Sequence, residues 1–160
     1  MTPRKLRLYL DTSIWNFYFA DDVPERMRLT RVLFDQIRRG QYDAYISGVV
    51  LDEIAAAPEP RRAQLNALVK EISPEMLQLN DEATALSREY IEKGTIPEKY
   101  ADDARHIAVA VANNLDMLLS WNFAHIVKVK TRRVVSATSL LLGYKEIEIC
   151  SPEEMIDDDS

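Results

Sequence analysis

Short apolar runs alternate with longer segments of helical period along this chain, and that alternation leaves few architectures open. Residues 6–10 (LRLYL) read as a strand ending at Asp11, and residues 44–47, 76–79, 116–120 and 147–149 read as later strands. Between them the apolar residues recur at three and four. Met27, Thr30, Leu33, Phe34 and Ile37 share one helical face, opened by the Asp22-Val23-Pro24-Glu25 signature and closed by Gly40. A short helix through Val50, Glu53 and Ile54 is stopped by Pro58 and Pro60. Further helices are predicted over 61–72, from Asn80 or Asp81 to Gly94, and over 102–115. A turn of helix is expected at 123–127 and a small one around 139–142. Strands that alternate with helices predict an α/β fold, with a central parallel sheet of four or five strands flanked by helices. Residues 1–150 form one domain in this reading, followed by an acidic tail over 151–160.

In such sheets the ligand crevice lies beyond the carboxyl ends of the strands. Asp11 ends the first strand there, with Thr12 and Ser13 next. Glu53 lies one helical turn beyond the second strand, Asp103 opens the helix before the fourth, and Ser120 and Asn122 follow that strand. Carboxylates held together repel one another unless a cation neutralises them. Hard oxygen donors suit Mg²⁺ or Mn²⁺. Two histidines and one cysteine rule out a zinc site built from those residues alone. Taken singly, each acid also fits a plainer role: Asp11 as a turn residue, Asp102 or Asp103 as a helix cap, Glu53 as a surface residue.

Four segments together resemble the PIN domain family. Leu8-Tyr9-Leu10-Asp11-Thr12-Ser13 is similar to its first motif, and the run from Ile46 to Ile54, carrying Glu53, to its second. Asp103-Ala104-Arg105-His106 resembles the third, and Leu118-Leu119-Ser120-Trp121-Asn122 the fourth. The order and spacing match over residues 8–123, and the nearest look-alikes are VapC-like toxins of toxin–antitoxin pairs. The resemblance implies a three-layer PIN-like fold and hydrolysis of RNA phosphodiesters to 5′-phosphate and 3′-hydroxyl ends. It implies a Mg²⁺ or Mn²⁺ ion held by Asp11, Asp103 and Glu53, with Asn122 in the fourth catalytic position. Many relatives have Asp there; Asn is neutral and would offer its carbonyl oxygen or a water. Thr12, Ser13, Asp102, His106 and Ser120 would hold these groups in place. Asp103 is preferred over Asp102 as the ligand because Ile107 and Ala110 share its helical face. His106 lies on that face too, as a proton carrier or as a packed, hydrogen-bonded side chain. His125 reads as structural.

The expected partners are an RNA substrate, a cognate antitoxin and a second copy of the chain in a homodimer. The aromatic run Trp15, Phe17, Tyr18 and Phe19 is assigned to core or interface. The net charge of −6 has the wrong sign for a phosphate binder. Five of the acids, however, lie between Glu153 and Asp159, and basic clusters occur at 4–7, 38–39, 61–62 and 128–133. This leaves two other readings: an RNA-processing nuclease without antitoxin, and a catalytically weak scaffold that binds RNA or protein. A single cysteine and no secretory or membrane-spanning run point to the cytoplasm.

Overall fold

The computed structural model describes residues 4–156. Five parallel strands form one sheet in the order β3-β2-β1-β4-β5: β1 (Leu6–Leu10), β2 (Tyr42–Ser47), β3 (Glu75–Leu77), β4 (Met117–Leu119) and β5 (Glu148–Cys150). The helices are α1 (Thr12–Phe17), α2 (Pro24–Arg38), α3 (Gly48–Ala55), α4 (Arg61–Ile72), α5 (Asp81–Glu92), α6 (Ala101–Ala112), α7 (Val129–Leu142) and α8 (Pro152–Met155). The arrangement is the α/β one, a five-stranded parallel sheet flanked by helices, that the alternation predicts.

β1 lies at the centre, and its Leu8, Tyr9 and Leu10 are fully buried, as a strand covered on both faces requires. It pairs with β2 on one side and β4 on the other, with Leu8 opposite both Ala44 and Met117. From β1 the order runs outward through β2 to β3, and then returns to β1's other flank for β4 and β5. Strand order therefore reverses between β1 and β4, and the crevice of such a sheet opens beyond that point. Residues 11–13 and 120–122 occupy it.

The helices bury the faces that their periodicity marks out. α2 buries Leu29, Thr30, Leu33 and Phe34. α6 turns Ala104, Ile107, Ala108 and Val111 inward, and its alanines allow the close approach of α5. Full burial of a side chain such as Leu118 contributes about 1.5–3 kcal/mol. At the opposite, N-terminal edge of the sheet, Asp116 acts as a clasp. Its side chain is only 8% exposed. It accepts from the Arg7 amide at 2.7 Å, from both Arg4 guanidinium nitrogens at 2.9 and 3.2 Å, and from Lys145 Nζ. One carboxylate thus ties the leads into β1, β4 and β5.

Several boundaries differ from the sequence expectation. α1 was not expected. Its six residues are too few for a periodic signal, and the helix is started by the Asp11 side chain, which accepts from the Ile14 amide. α7 is far longer than the expected turn at 139–142. Its inner face carries Thr131, Thr138 and Ser139 around Val135, while Leu140 and Leu141 point to solvent, so it has no apolar stripe of the usual kind. Residues 123–127 form turns rather than helix. β3 is an edge strand shifted to start at Glu75, with Met76 exposed. The expected acidic tail begins as α8, which packs against α2 with Pro152 and Ile156 buried. Its last four residues, 157–160, lie outside the described residues, as do residues 1–3.

Candidate active site

Asp11 leaves β1 at the switch point and is 3% exposed. Both carboxylate oxygens are held. Ser13 Oγ donates to Oδ1 at 2.6 Å, the Ile14 amide donates to the same oxygen at 3.2 Å, and Ser120 Oγ donates to Oδ2 at 2.5 Å. The two serines also accept from the chain leaving β4: Ser13 from the Trp121 amide at 2.8 Å and Ser120 from the Asn122 amide at 2.9 Å. A single acid therefore caps α1 and fixes the loop after β4. Burial pushes its pKa up, against the opposing pull of His106 and of its hydrogen-bond donors.

Asp103, in the first turn of α6, is half-buried. Burial raises its pKa and the Asp11 charge raises it further, while the nearby Asn122 side chain and the imidazoles of His106 and His125 oppose the rise. Asn122 Oδ1 accepts from the His125 amide at 2.9 Å, starting the turns that follow. Asp102 points elsewhere: it is exposed and pairs with Arg105 at 2.6 Å, beside a groove of about 490 Å³ lined by Val49, Asp52, Met76 and Leu79.

Glu53 reaches the site from α3 but bonds other partners. Its Oε1 accepts from Thr12 Oγ1 at 2.6 Å and lies 2.6 Å from His106 Nε2. His106 is 2% exposed. Its Nδ1 lies 2.7 Å from the Tyr9 hydroxyl, which in turn lies 2.8 Å from Ser47 Oγ. Burial disfavours the imidazolium, but the Glu53 hydrogen bond and the charges of Asp11, Glu53 and Asp103 outweigh it, so the His106 pKa is raised. For Glu53, burial works upward, and the His106 and Thr12 bonds prevail to leave its pKa lowered. Both shifts favour a Glu53⁻–His106⁺ pair.

The structure therefore brings Asp11, Asp103, Asn122, Thr12, Ser13, His106, Ser120 and Glu53 into one hydrogen-bonded and electrostatic network. Among the described residues no group of three His, Cys, Asp or Glu side chains stands ready to hold a metal ion. The reason is visible in the contacts: Glu53 is drawn to His106 and Thr12. The donor chemistry fits a hard divalent cation all the same. Asp11 and Asp103 are oxygen donors whose charges are made costly by burial and by each other, and a cation relieves both penalties. Tyr9 and Ser47 were not foreseen as part of the network. The available signal was a tyrosine two residues before Asp11, which the strand period places on Asp11's face with a polar tip to satisfy.

A parallel sheet with buried carboxylates at its switch point defines an α/β protein with an acidic site at the carboxyl edge of the strands. The chain belongs to the PIN domain family: the PIN domain profile matches residues 8–123, most of its length. No curated protein sequence matches it. Among solved structures, it is similar to VapBC2 from Rickettsia felis bound to a promoter DNA fragment. The TM-score is 0.57 at 17% identity, over 91% of this chain and 98% of that one. It is also similar to DNA-bound VapBC from Salmonella typhimurium (TM-score 0.56, 21% identity, 92% and 98%). A third is the toxin–antitoxin complex VapBC-5 from Mycobacterium tuberculosis (0.50, 19%, 91% and 98%). At these identities the likeness is one of fold.

Proposed function

We propose that this protein is a Mg²⁺- or Mn²⁺-dependent ribonuclease and the toxin of a toxin–antitoxin pair. The observation that carries the proposal is the Asp11–Asp103 pair. Two acids with pKa values raised by burial lie at the switch point of a PIN-domain sheet, where a cation and a phosphate would be received. A bound divalent ion supplies charge neutralisation at the phosphate and lowers the pKa of a water ligand. The chain's own residues do the positioning. Ser13, Ser120 and the Ile14 amide fix the Asp11 carboxylate, and the Asn122 side chain near Asp103 favours its ionised form. Glu53 is the third acid. It is held at the edge of the site by Thr12 and by His106, whose protonated form the pairing favours, and it would join the other two only by giving up that pairing. The antitoxin partner and the homodimer are inferred from the toxin reading, in line with the structural likeness to VapBC complexes. Among the described residues no helix is long and apolar enough to cross a membrane.

A second reading is a catalytically weak scaffold. It is favoured by Asn122 in the fourth position and by the engagement of Glu53 with His106. Cleavage of total RNA in Mg²⁺ or Mn²⁺ separates the two. Under the ribonuclease reading the wild type cleaves and Asp11→Asn does not. A wild type that leaves RNA intact in both metals, or an Asp11→Asn variant that cleaves equally well, refutes it.

A further inference from the structure

Beside the acid pair lies a shelf of rings that the chemistry above does not use. Tyr100 ends the 3-10 turn Glu98–Tyr100, three residues before Asp103, and is 41% exposed. Its ring lies against the His125 imidazole, with centroids 4.3 Å apart and planes 32° from parallel. Lys99 Nζ is 5.1 Å from the same tyrosine ring. Each ring is anchored to one member of the site. Tyr100 leads directly into the first turn of α6, which carries Asp103. His125 donates its amide to Asn122. The shelf is therefore tied to Asp103 through the chain and to Asn122 through a hydrogen bond. On either side of Asn122 in the chain, Trp121 and Phe123 hold the Arg26 guanidinium, 5.3 and 5.1 Å from their ring centroids. The exposed rings here are those of Tyr100 and Phe123, each near a cation, while Trp121 is buried beneath Arg26.

Flat, exposed rings with cations close by match the two halves of a nucleotide: a base that stacks and a phosphate that needs positive charge. An acidic peptide would meet the same cations but offers no flat base to stack on the rings. We propose that Tyr100 and His125, with Lys99, seat a nucleobase of the RNA strand next to the phosphate received at Asp11 and Asp103. The inference rests on the ribonuclease reading and names how that site takes its substrate. Stacking of this kind tolerates every base, because each has a π-face, and it needs an unpaired one. Tyr100 is then a binding residue for single-stranded RNA.

The test is fluorescence anisotropy with a fluorescein-labelled 12-nucleotide single-stranded RNA in Ca²⁺, with thermal melting run alongside. Tyr100→Ala should weaken binding about tenfold, within the range for loss of one stacked base. Tyr100→Phe should bind as the wild type does. Tyr100→Leu, which keeps an apolar contact for His125 but lacks a flat face, should bind as weakly as the alanine variant. An abasic site moved along the RNA should weaken the wild type at one position and leave Tyr100→Ala indifferent there. Wild-type affinity in both the alanine and leucine variants overturns the shelf, and continued cleavage of total RNA by the wild type shows that the ribonuclease reading survives it. A wild type that neither binds this RNA nor cleaves total RNA overturns both.

Discussion

Replacing Asp116 by Asn should make the protein less stable at neutral pH by about 2 kcal/mol, with the deficit vanishing in acid. Asn has nearly the same shape and keeps one oxygen, so the Arg7 amide retains an acceptor. That bond falls from a charge-assisted one, worth about 1.5–3 kcal/mol, to a neutral one of about 1 kcal/mol. The bonds from Arg4 and Lys145 come from groups that are 62% and 44% exposed. Solvent screening limits them to a few tenths up to about 1 kcal/mol each. For a chain of this size, about 2 kcal/mol lowers Tm by about 4–8 °C. The pH dependence follows from the clasp. Burial pushes the Asp116 pKa up, but the Arg4, Lys145 and Arg7 hydrogen bonds prevail and hold it well below the ordinary aspartate range. A depressed folded pKa gives stability that is complete above the unfolded value of about 3.9, and it is lost as pH falls from there toward the folded value. Urea midpoints of wild type and Asp116→Asn at intervals from pH 7 to pH 2 should therefore run apart by a constant amount down to about pH 4 and converge below it. Coincident midpoints at pH 7, or a gap that widens in acid, would refute the clasp.

Two predictions concern the site. Mn²⁺ or Mg²⁺ should raise Tm in the wild type, with about 2.7 kcal/mol of stabilisation at a hundredfold excess over Kd. Asp11→Asn and Asp103→Asn should each lose that rise while melting no earlier than the wild type without metal, because the burial that raises both pKa values makes their ionised forms unfavourable at pH 7; a full metal response in both variants places the ion elsewhere. Asn122→Asp should lower the metal-free stability by about 1–3 kcal/mol, since an anion replaces a neutral side chain near Asp103. Mn²⁺ should restore it and bind more tightly than to wild type by calorimetric titration, whereas unchanged metal-free melting and unchanged affinity remove Asn122 from the site.

The parts of the fold legible in the sequence were those whose buried face is apolar. β1 and the helices α2, α5 and α6 carry stripes of Leu, Ile, Val and Ala at the period of their backbone, and each was found within a few residues of its observed limits. α7 hid because its geometry inverts that code, with hydroxyls inward and leucines outward. α1 hid behind Asp11, whose two tasks, starting a helix and serving the site, leave the same mark in a sequence. In the site, the preference for Asp103 over Asp102 comes from helical register; in the structure Asp103 is half-buried with its pKa raised, while Asp102 is exposed and pairs with Arg105. The relay from Ser47 through Tyr9 and His106 to Glu53 was not legible. It joins four elements, and sequence spacing carries no signal for contacts between residues 53 or 97 positions apart.

The strand order has a consequence in time. Asp11 takes its orientation from Ser120, which is added to the chain 109 residues later, and β1 completes its pairing only when β4 arrives at its flank. At synthesis rates of about 5–20 residues per second, the ribosome needs on the order of ten seconds to close that gap. Throughout that interval the nascent chain carries Asp11 without the serine, the amide donors of the 121–122 segment or the neighbouring strand that shape its site. A fragment released before residue 120 lacks the serine and the complete flanking strand that orient Asp11, so the site as it stands in the full chain takes shape only once the greater part of it has been made.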